Sequence, residues 1–95
     1  MDGLLTKKER EAIRIGFGKL LRAKRNAIGI SQEELADLAG LHRNYVGSIE
    51  RGEREVGVGR MAHLAAAFDM SLAEFFSPFT KVFRHRAGGG PRDVK

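Results

Sequence analysis

The chain has 95 residues, of which 42% are hydrophobic, with a formal net charge of +5 and no cysteine. That is enough apolar content for one small core, which excludes compositional disorder, while the missing thiols exclude disulfides, thiolate metal sites and a cysteine nucleophile. The cationic excess favours a polyanionic partner, nucleic acid being the commonest; no apolar run approaches the ~20 residues that cross a bilayer, and the first residues lack the apolar stretch of a secretory leader, so the expected compartment is the cytoplasm.

Thr6 and Glu9 have capping-box spacing and open the first helix. Ile13, Phe17, Leu20, Leu21 and the stem of Lys24 follow at helical spacing, and the helix is expected to reach about residue 26. Gly29 breaks it. Ile30 is the apolar neighbour of the next cap.

Ser31 and Glu34 form a second capping box and open a helix of residues 31 to about 38, with Leu35, Ala36 and Ala39 on its inner face. Gly40 ends it. A third helix spans about residues 42 to 51, with Leu41, Val46 and Ile49 inward and Tyr45 at the edge. His42, Arg43, Asn44, Gly47, Ser48 and Arg51 are expected outward. Gly52 is a helix-ending residue. Helix, tight turn and helix within 22 residues is the arrangement that can set a second helix into the major groove of DNA.

Residues 53 to 59 form a charged loop with glycine. A fourth helix is expected over about 58 to 68, with Met61, Leu64, Ala65 and Phe68 inward. Ser71 and Glu74 are a third capping box, opening a short helix through Phe76 that Pro78 stops. The ending RHRAGGGPRDVK, rich in glycine and cations, reads as a flexible tail.

The stretches FGKLLRAKR, GISQEELADLAGL, VGSIERGER and AAAFDMSLAEFF together resemble the Cro-like phage repressor family, also called the xenobiotic-response-element family. HRNYVGSIERGER is similar to the short controllers of restriction–modification operons. The resemblance covers about residues 17 to 76. It implies an all-α, compact five-helix bundle of lambda-repressor-like type that binds operators as a homodimer. Residues 1–77 would be the DNA-binding domain, and 78–95 an extension, first partly apolar and then a flexible basic tail.

The resemblance also implies roles. Gln32 falls where the family touches phosphate, at a helix N-terminus suited to an anion. Arg43 and Asn44 fall where it reads base edges, and Ser48 follows one turn later. Arg51 and Arg54 flank the groove, Tyr45 matches a tyrosine set against DNA, and His42 adds a contact. Arg25 and Glu50 match a buried ion pair that is structural. Glu55 departs from the family by putting an acid near the phosphates, Gly59 weakens the fourth helix, and Gly47 either admits a close approach of DNA or forgoes a contact.

Each reading has a plainer counterpart. Arg43 can bond guanine O6 and N7 together, or be a solvated arginine. Asn44 reads adenine or touches phosphate; Tyr45 meets DNA or packs on the next helix. His42, His63 and His85 match no metal-ligand spacing, Ser31 is a cap without a catalytic base, and residues 88–90 follow no strand, so neither metal, cofactor nor enzymatic activity is expected. Phe75, Phe76, Phe79, Val82 and Phe83 form either a dimer interface or a segment folded back on its own bundle. The function implied is a homodimeric, sequence-specific regulator on inverted half-sites, controlling a restriction–modification operon and, over a promoter, excluding or recruiting RNA polymerase. The alternatives are an antitoxin that represses its own operon and binds a toxin, and a protein-interaction module that has lost DNA binding.

Overall fold

The computed structural model describes residues 5–77 as five helices: α1 (Lys7–Ala27), α2 (Gln32–Ala39), α3 (Arg43–Glu50), α4 (Val58–Ala67) and α5 (Leu72–Phe75). The expected all-α five-helix bundle is what the chain forms. Pro78 and the extension from 78 to 95 lie outside the described residues, as do Phe79, Val82 and Phe83. Among the described residues no helix is long and apolar enough to cross a membrane.

Local chemistry starts the helices. At α1, α2 and α5 a hydroxyl accepts from the backbone N–H three residues on, and the glutamate there accepts in return from the cap N–H. These are Thr6 with Glu9, Ser31 with Glu34 and Ser71 with Glu74, at 2.8–3.1 Å. At α3 the cap is His42, whose Nδ1 accepts from the N–H of Asn44 at 3.0 Å. Only α4, which begins after Gly57, has no side-chain cap.

Four helices end in the same way. A left-handed residue follows, and two N–H groups turn back onto the last carbonyls: Ile30 to Arg25, Leu41 to Ala36, Glu53 to Ser48 and Met70 to Ala65, each with its companion bond one residue earlier. The left-handed residues are Gly29, Gly40, Gly52 and Asp69. Ile30, Leu41 and Met70 then pack against the core, which stitches each turn down. After α3 that position is Glu53, which is exposed.

Leu21, Leu35, Val46, Ile49, Leu64 and Phe75 are fully buried, and Phe17, Ala36, Ala39 and Ala65 complete the core. Burying each large side chain stabilises the fold by ~1.5–3 kcal/mol. Phe75 corrects the dimer expectation. It is 0% exposed, its ring lying 5.6–6.1 Å from those of Phe17, Phe68 and Phe76, with the Lys24 ammonium 5.3 Å away. The ring is wholly spent within its own chain and offers nothing to a second copy. Phe76 is half-buried.

α1 packs against α3, α2 against both α3 and α4, and α4 against α5. The α1–α3 contact depends on Gly18. A Cβ there would stand 2.4 Å from the carbonyl oxygen of Ile49 and 2.6 Å from that of Glu50. Backbone therefore meets backbone where α3 ends. Gly59, by contrast, has open space around its Cβ position. Gly18→Ala should destabilise the fold by about 1–3 kcal/mol, as overpacking does. Gly59→Ala should gain about 0.5–1 kcal/mol, because alanine favours the helix. Thermal melts of the two variants check this, at about 4–8 °C per kcal/mol for a domain of this size.

Candidate nucleic-acid interface

α3 is the helix on which the predicted contacts converge, and its orientation is fixed by Glu50 in its last turn. The Glu50 side chain is fully buried, and its carboxylate accepts from three side chains. Arg25 of α1 donates Nε to Oε2 at 2.7 Å and Nη2 to Oε1 at 3.0 Å; Gln32 of α2 donates Nε2 at 3.0 Å; Arg22 donates Nε at 3.3 Å. Arg25 also donates Nη1 to the carbonyl of Ile30 at 2.9 Å. One carboxylate thus joins α1, the α1–α2 turn, α2 and α3.

The expected pairing of Arg25 with Glu50 is present, and two partners were not foreseen. Arg22 lies one turn before Arg25 on α1, so the same face could have disclosed it. Gln32, expected at phosphate, has its amide donor on Glu50. Burial pushes the Glu50 carboxyl up, but the bonds from Arg25 and Gln32, with the Arg25 charge and the Arg22 bond, outweigh it and hold the carboxyl below the usual carboxylate range.

The outer face of α3 is partly as expected. Arg43, Asn44 and His42 are exposed. Arg43 extends its guanidinium within 3.9 Å of Glu33 on α2, with both side chains mostly in solvent, so the pair is weak and easily exchanged for another anion. His42 contributes its Nδ1 as the cap, which leaves the neutral ring's proton on Nε2. Arg51 donates Nε to Glu53 at 2.9 Å, and this bond raises the arginine and lowers the glutamate, both exposed.

Gly47 and Ser48 depart from the expectation: both are buried. A Cβ at Gly47 would meet the Arg51 guanidinium at 3.2 Å and the Gln32 amide oxygen at 3.4 Å. Its smallness makes room for these two side chains. Ser48 is covered by the segment after α3. Its hydroxyl donates to the carbonyl of Tyr45 at 2.8 Å and accepts from Arg54 Nε at 2.9 Å. It works as a bracket for Arg54 and is not presented outward.

Tyr45 is half-buried at the edge. The guanidiniums of Arg54 and Arg60 stand 5.0 and 4.9 Å from its ring centre. Arg60 was not foreseen. One signal was available, since a cation in the first turn of α4 opposes the helix dipole and needs another reason to be there. Glu55 turns away toward α1, where Arg10 and Arg14 each approach it to 3.8 Å. Arg14 also donates to the carbonyl of Gly52 at 3.3 Å.

Residues 21–75 match the helix-turn-helix family. Control protein C.SmaI of Serratia marcescens is 42% identical over 57 residues, 60% of this chain and 68% of that protein. Control protein C.MunI of Mycoplasma sp is 36% identical over 70 residues, 73% and 95% of the two. The crystal structure of the restriction–modification controller protein C.AhdI from Aeromonas hydrophila superposes with a TM-score of 0.66 at 48% identity, over 68% of this chain and 98% of that one.

The Glu50 network sets a pH dependence. A carboxyl lowered by folding contributes stability that is complete above its ordinary value near 4.5 and is lost as pH falls through the folded value. Glu50→Gln should cost about 3–5 kcal/mol at neutral pH, because Arg25 is left charged without its partner. It should also flatten the fall in unfolding free energy below about pH 4.5. Denaturant unfolding at several pH values checks both, and parallel curves for the two proteins would count against the assignment.

Proposed function

The chain belongs to the helix-turn-helix family, and on that premise we propose that it is a sequence-specific DNA-binding transcriptional regulator of the restriction–modification controller type. The observation that carries this reading is the exposed polar and cationic face at α3. His42, Arg43, Asn44 and Arg51 stand on it, while Val46 and Ile49 of the same helix are buried. An exposed arginine and asparagine early on such a helix are suited to guanine and adenine edges in a major groove. The absence of large apolar side chains from that face argues for a nucleic-acid partner over a protein one. The likeness to control proteins and to a restriction–modification controller supports the subtype.

In this reading Arg43 and Asn44 read bases. Arg51 and Arg54 supply field and phosphate contacts along the rim, and His42 holds α3's first turn with its Nε2–H available to the backbone of DNA. Gln32 acts mainly through Glu50, with its amide oxygen beside Gly47. The protein works in the cytoplasm as a homodimer. Its two α3 helices occupy half-sites roughly 34–36 Å apart, so a two-fold protein meets an inverted repeat. Phe76, together with Phe79, Val82 and Phe83 of the extension, is the proposed dimer surface. Occupancy over a promoter then excludes or recruits RNA polymerase.

Arg43→Ala should lower affinity for the preferred duplex by roughly 5- to 150-fold, the equivalent of ~1–3 kcal/mol for a bidentate base contact, and relax one base position. Its melting temperature should stay nearly unchanged, since the side chain is exposed. Anisotropy titrations against single-base variants of the duplex measure this, and an intact preference sinks the assignment of α3. For assembly, sedimentation of the full chain should give a dimer and of a chain ending at Ser77 a monomer. Equal masses would remove the extension from the interface.

A further inference from the structure

Arg54 and Arg60 bring two positive charges to one aromatic ring. Each guanidinium carbon is within about 5 Å of the Tyr45 ring centre, so the two lie no more than about 10 Å apart. Each is attracted by the ring's quadrupole, yet the pair repels itself. A carboxylate placed between them would relieve this. The nearby acids are engaged elsewhere: Glu55 with Arg10 and Arg14, and Glu53, which feels the Arg54 charge, with Arg51. Among the described residues neither Arg54 nor Arg60 forms an ion pair with a carboxylate.

The geometry of Arg54 is fixed from below. Its Nε is held by Ser48 Oγ, and that hydroxyl is in turn tied to the Tyr45 carbonyl. Its terminal amino groups carry no hydrogen bond to the described residues. Arg60 comes from another helix, α4, and is exposed. Two exposed guanidiniums, both set against the Tyr45 ring and without a carboxylate partner among the described residues, form a ready seat for an anion. On the edge of α3 that anion is a phosphate of a duplex backbone, which a guanidinium holds by charge-assisted hydrogen bonds.

We propose that Arg60 is a further phosphate-binding residue and that Tyr45 is the platform that positions Arg54 and Arg60 on the backbone, in place of a direct contact of its own ring with DNA. The assignment rests on the DNA-binding reading above and adds to it a residue from α4, so the surface that meets DNA extends beyond the helix-turn-helix pair. Arg60 then contributes affinity without sequence preference, whereas Arg43 contributes preference.

The test uses the full chain and two probes: a duplex recovered by binding selection from a random-sequence library, and a same-length duplex of scrambled order. Affinities are measured across a salt series for the parent chain, Arg60→Gln, Arg60→Lys, Tyr45→Leu and Arg43→Ala. Arg60→Gln should weaken both duplexes by the same factor and reduce the slope of log K against log salt by ~0.9, the loss of one phosphate contact. Arg60→Lys should restore most of that slope, because lysine still supplies a charge, and Tyr45→Leu should lower the slope with Arg60 itself intact. If Arg60→Gln leaves affinity and slope unchanged while Arg43→Ala still weakens the selected duplex and relaxes one base position, the Arg60 assignment is wrong and the regulator reading stands. If Arg60→Gln weakens only the selected duplex at unchanged slope, the residue reads a base and the phosphate assignment is overturned. If selection recovers no duplex, the DNA-binding reading itself falls, and this assignment with it. Equal melting temperatures for Arg60→Gln and the parent chain confirm that the comparison is between folded proteins.

Discussion

A buried carboxylate is costly unless every lone pair is answered, and the bundle is arranged around answering one. Glu50 sits in the last turn of α3, and its donors come from α1 and α2. Because those donors stand on separate helices, the carboxylate is satisfied only when the helices take one mutual orientation. An apolar contact would tolerate a range of angles. Four charge-assisted hydrogen bonds do not, so the angle at which α3 leaves the bundle is set by their directions. Gly18 makes the same demand in steric form, since α1 and the end of α3 approach to a distance that no side chain at that position would permit.

With the frame held there, the outer part of α3 is spared structural duty. Arg43 and Asn44 are exposed; Arg43 makes a loose pair with Glu33, and the Asn44 backbone N–H donates to the His42 cap. The residues that determine where α3 points are therefore different from those that meet a partner. Arg51 and Arg54 lie between these groups: Arg51 is engaged with Glu53, while Arg54 is anchored through Nε on Ser48 and keeps its charged end available.

Much of this was legible in the residue order, and the rest was not, for physical reasons. The boxes at Thr6, Ser31 and Ser71 and the glycines at 29, 40 and 52 act within a few residues, so spacing alone reveals them, and the core positions Leu21, Leu35, Val46, Ile49 and Leu64 follow from helical period. The Arg25–Glu50 pair came from family resemblance, since nothing local links two residues 25 positions apart. Helical spacing alone puts Ser48 on the outer face, because it carries no information that Arg54 folds over the hydroxyl. Phe75 looked like surplus apolar surface because its ring partner Phe17 is on a distant helix. Gly18 depends wholly on tertiary approach, Arg60 shows in the sequence only as a cation misplaced in the first turn of α4, and Gly47 is recognisable as a spacer only from the Gln32 and Arg51 side chains beside it.

The shared way in which α1, α2, α3 and α4 end bears on how quickly the chain finds its structure. Each turn is closed by hydrogen bonds spanning at most five residues, about a residue whose backbone already suits the left-handed region or, at Asp69, tolerates it. Closing such short loops costs little chain entropy. What remains is the meeting of distant segments, above all the docking of α1 on α3 and of Phe75 on Phe17. Helical domains of this kind fold in roughly microseconds to milliseconds. Rapid refolding after local opening keeps the apolar face shared by α2 and α3 from lingering in water, where it would invite association with other chains.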